Sequence, residues 1–343
     1  MKMHTPSLRS KLSPSLGCML AVTAAALQSF AQETTPNPAA PSPNAAAATA
    51  EAAKKKTAIP RPEPTEASVR YGEFERNVLD FWKADTKEPA PVLFYIHGGG
   101  WQGGDKNSIN PTPYLRAGIS VVAINYRYIS QSQNVQPPVK APLHDAARAL
   151  QFVRSKAAEW HLDKNRVVAN GGSAGACTSL WLAFHRDLAD PQSADPIARE
   201  STRLSGAVVH GAQTTLDPAQ MKEWTPNSKY GAHAFGINAP SSGKGSVFEE
   251  FLAKRETLLP WIAEYSPYAL VTADAPPIFL GYASAPALGE AQKDPTHTSN
   301  FGVKLQEKLR SVGGKCDLQY PGAEGLIYDS IQAAIFGMLK VSP

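Results

Sequence analysis

Between residues 78 and 320, short and nearly uninterrupted apolar runs alternate with longer stretches in which apolar residues return every three or four positions. The runs at 78–82, 91–96, 120–126, 166–170, 206–210, 277–282 and 316–320 predict strands. A continuous run such as Val92-Leu93-Phe94-Tyr95-Ile96 suits a strand covered on both faces. The longer spacing predicts a helix over 141–160, with Ala146, Leu150, Val153 and Ala157 on one face, and further helices over 174–186, 300–312 and 327–340. Strands alternating with helices define an α/β class: a mostly parallel central sheet with helices on both faces. Between about 214 and 276 the periodicity weakens, and Trp224, Tyr230, Phe235, Trp261 and Tyr265 accumulate among Pro, Gly and Ser. This stretch reads as an insertion that caps the active edge, its aromatic residues supplying the apolar wall of a pocket.

The first residues change the picture of where the protein works. Lys2, Arg9 and Lys11 precede an apolar stretch from Leu16 to Leu27, followed by Ser29-Phe30-Ala31. That layout predicts a cleavable secretory signal over 1–31, too short for a permanent span, which needs about 20 apolar residues. Residues 32–68, rich in Ala, Pro and Thr with a Lys54-Lys55-Lys56 cluster, predict a disordered tether, leaving 69–343 as the folded domain. The expected location is the periplasm or the extracellular space. The formal charge of +4 is concentrated at this end: residues up to Ser68 hold seven Lys or Arg against four Glu, so the domain carries only +1 and no nucleic-acid footprint. Cys177 and Cys316, on non-adjacent elements, are expected as unpaired buried thiols.

Two glycine segments carry the chemistry. Gly171-Gly172-Ser173-Ala174-Gly175 follows a strand and opens a helix, the Gly-x-Ser-x-Gly arrangement that presents a serine on a sharp, strained turn. His97-Gly98-Gly99-Gly100-Trp101 also leaves a strand, and its bare amides could hold a developing oxyanion together with the amide of Ala174. Neither segment fits phosphate binding, since Gly104 is followed by Asp105 and Gly243-Lys244 lacks the first glycine and the hydroxyl. Neither has the Gly-x-Gly-x-x-Gly spacing of a dinucleotide site. No cofactor is expected, and no metal, because Asp294 and His297 supply at most two ligands.

These segments, with Asn125-Tyr126-Arg127, Asp145 and Ser173-Ala174-Gly175, resemble the α/β-hydrolase superfamily over roughly residues 70–340, specifically its carboxylesterase branch with a His-Gly-Gly-Gly oxyanion loop, which includes feruloyl-esterase-like and hormone-sensitive-lipase-like members. The resemblance implies a serine esterase of small or aromatic esters, with Ser173 as nucleophile, Gly98, Gly99 and Ala174 as the oxyanion hole, and His97 and Asp145 as loop braces. It further implies an acid after the strand ending at Tyr282, where Asp294 fits, with Glu290 as the alternative. The catalytic histidine of such enzymes follows the last strand, yet the chain reads Tyr320-Pro321-Gly322-Ala323-Glu324-Gly325-Leu326-Ile327 there and has no histidine beyond 297. Three residues could replace it: His297, otherwise a surface loop residue; His210, otherwise a strand-end packing residue; and Glu324, a poor carboxylate base. The competing reading is a degenerate hydrolase that binds a ligand or partner without turning it over.

Overall fold

The computed structural model describes residues 61–132 and 134–342. Eight strands form one sheet: β1 (Glu66–Arg70), β2 (Val78–Trp82), β3 (Ala90–Ile96), β4 (Ser120–Ile124), β5 (Leu162–Gly172), β6 (Gly206–His210), β7 (Ile278–Gly281) and β8 (Cys316–Gln319). Their spatial order is β1-β2-β4-β3-β5-β6-β7-β8, antiparallel at β1–β2 and β2–β4 and parallel from β4 onward. The sequence turns back on itself around β3, whose neighbours are β4 on one side and β5 on the other. Ligands of open α/β sheets sit at the carboxyl ends of strands where the order reverses in this way.

The helices are α1 (Thr112–Arg116), α2 (Lys140–Ser155), α3 (Ala157–Trp160), α4 (Ala174–Phe184), α5 (Pro218–Trp224), α6 (Val247–Ala253), α7 (Arg255–Tyr265), α8 (Asn300–Ser311) and α9 (Ile331–Leu339). Alternation along each strand sends Phe94, Ile96, Val167, Ala169, Val209 and Leu280 to a core shared with α2, α4 and α8. Leu93, Val121, Val168, Val208 and Phe279 face the other way, against α9. Both faces are therefore apolar, which accounts for the unbroken hydrophobic runs.

Three expectations are corrected. The tether expected over 32–68 reaches into the fold: β1 begins at Glu66, the Trp82 indole donates to the Pro62 carbonyl at 2.9 Å, and the Arg61 guanidinium lies 4.7 Å over the Trp82 ring. This strand is short, mostly exposed and at the sheet edge, so nothing apolar marks it. The helix expected over 141–160 is broken at Lys156, and the one expected from 327 starts at Ile331, where the Ser330 hydroxyl accepts from the Ala333 amide. The rest of the tether and the signal lie outside the described residues. Cys177 is buried, Cys316 partly so, and both are free.

The third correction concerns the insertion. It folds as α5, α6 and α7 with short 3₁₀ turns, but its aromatic residues pack among themselves and onto the core. Phe235 stacks on Trp261 and meets Phe251, while Trp224 packs edge-on against Tyr268 and Phe301. None of them lines the main cavity. Three helices of at most 11 residues cannot be stable alone, so the rings are consumed in fixing them.

Candidate active site

The two glycine segments leave neighbouring strands at one level, since Ile96 pairs with Gly171 in the β3–β5 ladder. Ser173 follows with φ 53° and ψ −122°, a left-handed-side conformation that a non-glycine residue holds only under local constraint. The constraint is crowding. A Cβ at Gly171 would lie 2.5 Å from the Ile96 carbonyl oxygen, and one at Gly175 would lie 2.1 Å from the same atom. Strand and helix close this tightly only without side chains, and the turn then forces the serine outward. The Ser173 amide donates to the His210 carbonyl at 3.1 Å, which ties the turn to β6.

The loop after β3 wraps against this turn. Gly99 and Gly100 have φ of 97° and 61°, and Trp101, fully buried with φ 56°, donates its indole N–H to the Thr178 hydroxyl at 3.0 Å on α4. The amides of Gly98, Gly99 and Ala174 donate to no protein acceptor among the described residues. Gly98 and Gly99 line the cavity beside Ser173, and Ala174 opens α4, whose amino end carries partial positive charge.

His97 is a brace, as expected. Its ring stacks on Tyr126 at 4.2 Å, its Nδ1–H donates to the Gly98 carbonyl at 2.8 Å, and burial pushes its pKa down to about 4, so it stays neutral. The Tyr126 hydroxyl is shared between the carbonyls of His97 and Gly98. Asp145 accepts from the Arg127 side chain and main chain, fixing the Asn125-Tyr126-Arg127 segment below the loop.

The loop between β7 and α8 brings an imidazole and a carboxylate to the serine. His297 Nε2 lies 3.0 Å from Ser173 Oγ, and its Nδ1 lies 2.8 Å from Asp294 Oδ2. A carboxylate can only accept, so Nδ1 carries the proton and Nε2 is free to take one from the serine hydroxyl. Burial raises the Asp294 carboxyl, but the hydrogen bond and charge of His297 and the amides of Thr296 and His297 outweigh it, leaving the pKa below the usual value. The carboxylate and the imidazole are thus three residues apart in one turn. His210 lines the same cavity but makes no side-chain hydrogen bond to Ser173; burial and the neighbouring His297 lower its pKa. Glu290 and Glu324 are exposed and line no part of the cavity.

Residues that sequence reading does not single out hold this loop. Gln213 donates to the Thr296 carbonyl at 2.7 Å, one residue before His297. Asn227, in the insertion, exchanges two hydrogen bonds with the main chain of Gln292, at 2.8 and 2.9 Å. Asn300 donates to the carbonyls of Trp224 and Ala287. The insertion therefore serves the site as a bracket for the base rather than as a wall. The cavity itself holds about 1200 Å³ and runs across the carboxyl ends of β3, β5, β6, β7 and β8.

A parallel sheet of this order with a serine at the strand-to-helix bend after β5 is the α/β-hydrolase fold, and solved structures agree. An acetyl ester-xyloside bifunctional hydrolase from Caldicellulosiruptor lactoaceticus superposes with a TM-score of 0.56 at 21% identity, over 75% of this chain and 86% of that one. Esterase 2 of Thermogutta terrifontis, in a form phosphonylated by sarin, gives 0.54 at 25% identity, over 81% and 93%. The chain belongs to the BD-FAE family, whose model matches residues 79–293, on the carboxylesterase branch of the fold. The match stops just short of Asp294. Among curated relatives, the probable carboxylic ester hydrolase LipM of Mycobacterium tuberculosis (strain ATCC 25618 / H37Rv) is 29% identical over 63% of this chain and 46% of its own. Carboxylesterase NlhH of the same strain is 30% identical over 39% and 42%. The chain spans somewhat under half the length of these relatives.

Proposed function

We propose that the protein is a serine esterase acting on small or aromatic carboxylic esters through an acyl-enzyme on Ser173. The reading is carried by the 3.0 Å approach of His297 Nε2 to Ser173 Oγ. Nε2 takes the hydroxyl proton as Oγ attacks the ester carbonyl, and the amides of Gly98, Gly99 and Ala174 hold the oxyanion of the tetrahedral intermediate. As the intermediate collapses, the imidazolium, steadied by Asp294, returns the proton to the leaving alcohol. Water then repeats the sequence on the acyl-enzyme and releases the acid. The names of the relatives, an ester hydrolase and a carboxylesterase, support the reaction class. The competing reading of a non-catalytic binding protein rests on the missing carboxy-terminal histidine, and the contact with His297 counts against it.

The test is hydrolysis of p-nitrophenyl butyrate together with mass spectrometry of protein treated with a fluorophosphonate. Turnover and a single adduct on the peptide containing Ser173 are expected. Turnover that persists after Ser173→Ala, or labelling elsewhere, overturns the proposal. We also propose that the protein is exported by its first 31 residues, which cell fractionation with and without that segment tests.

A further inference from the structure

The cavity has an arm that the reaction above does not use. Gly172 pairs with His210, His210 with Gly281, and Gly281 with Gln319, so these four residues form a row across β5, β6, β7 and β8. Paired residues project to one face, here the face that carries Val208 and Phe279 against α9. The row has two gaps, and they differ. The gap at Gly172 is filled, because a Cβ there would lie 2.3 Å from His210 Nε2. The gap at Gly281 is open: the nearest atoms to a Cβ there are Phe279 Cε1 at 3.7 Å, the Val209 carbonyl oxygen at 3.7 Å and Gln319 Oε1 at 3.8 Å, all at ordinary contact distance.

The slot over Gly281 therefore has Gln319 on one side and Ile331 in its lining, with the buried Phe279 ring beneath it, while the His210 ring leans the other way, over Gly172. Its polar acceptor is unspent. The Gln319 side-chain amide donates to the Asp329 carbonyl, which leaves Oε1 as an acceptor turned toward the slot. Strand spacing of roughly 4.8 Å puts Gly281 about 10 Å and Gln319 about 14 Å from the serine strand, on the side of the base and away from Gly98 and Gly99. A leaving alcohol departs on the side of the base that protonates it.

We propose that this slot is a subsite for the alcohol part of the ester, selecting a long or cyclic alcohol whose distal hydroxyl donates to Gln319 Oε1. The proposal rests on the esterase reading for its orientation. The open space over Gly281 beside Ile331 takes the carbon skeleton, and the hydroxyl satisfies an acceptor that a methyl group would leave desolvated and unpaired. A hydroxyl beside the ester oxygen is too near the serine to reach it.

The experiment compares 6-hydroxyhexyl butyrate with heptyl butyrate, which match in length and differ at the far end. In the full chain, Gln319→Leu is expected to lower the kcat/KM ratio of the hydroxyl ester to the alkyl ester about tenfold. Gly281→Ala, whose added methyl fits without displacing a neighbour, is expected to lower kcat/KM for both long esters relative to ethyl butyrate about tenfold by shortening the slot. Because each value is a ratio within one protein, loss of folded material does not mimic the effect. Binding is read separately in Ser173→Ala protein by the side-chain amide signals of Gln319 in NMR, which should move with the hydroxyl ester and stay still with heptyl butyrate. Unchanged ratios in both variants, or Gln319 side-chain signals indifferent to the hydroxyl, overturn the subsite even if esters are hydrolysed. Signals that respond in a protein that hydrolyses no ester uphold the subsite and overturn the esterase reading instead.

Discussion

The two halves of the site are built from different materials. On the serine side, main chain does the work: Gly171, Gly175 and Ile96 crowd together, the strands beneath are fully buried, and Trp101 is locked to α4. On the base side, Asp294 and His297 sit on a loop with side-chain exposures of 61% and 40%, held by hydrogen bonds from Gln213, Asn227 and Asn300. Rigidity in the first case comes from packing and in the second from a few directed polar contacts. The first tolerates almost no substitution locally, whereas the second can be loosened by degrees from a distance.

That contrast can be broken first at its strongest point. Ser173→Ala is expected to lower kcat on p-nitrophenyl esters about 10⁵-fold, and His297→Ala to come within about tenfold of it, because nucleophile and base act as one unit. A His297→Ala enzyme with near wild-type turnover would return the base to His210. Asp294→Asn is expected to cost less, about 10- to 100-fold in kcat, since water reaches an acid this exposed and shares the task of steadying the imidazolium. A loss equal to that of His297→Ala would show that the exposed carboxylate matters as much as a buried one. Gln213→Ala and Asn227→Ala are expected to reduce kcat about threefold to tenfold with KM little changed, and to increase hydrogen exchange over 282–299 while leaving β3 and β5 protected. Equal exchange in both regions would erase the difference between a packed half and a tethered one.

The smallest effect concerns pH. Burial holds His97 and His144 neutral, with folded pKa values of about 4 against 6.5 for the free side chain. Between those values the unfolded chain binds more protons, so stability falls as pH drops from 6.5 toward 4, by up to about 1.4 kcal/mol per unit for each group. Urea unfolding at pH 7 and pH 5 should show the decline, and His144→Leu should lessen its slope. A flat profile would mean that these rings are hydrated in the folded protein.

Legibility in the sequence follows the same divide. Ser173, Gly98 and Gly99 can be read because a strained turn and unobstructed amides demand particular residues in a fixed local order. Asp294 comes from a resemblance, and His297 from the lack of any histidine after it, with its spacing to Asp294 the available clue. Gln213 and Asn227 leave no trace, since each is an ordinary polar residue whose partner is 83 or 65 positions away. The aromatic residues of the insertion mislead because a ring needed for packing and a ring needed for a pocket look alike in a sequence. β1 escapes notice for the opposite reason, having almost nothing to bury.

Asp294 and His297 share a single turn, and that has a bearing on how such chains diversify. If the two act as a relay, its members travel together on one surface segment, and what must change with them is confined to the few polar residues that hold that loop, Gln213, Asn227 and Asn300.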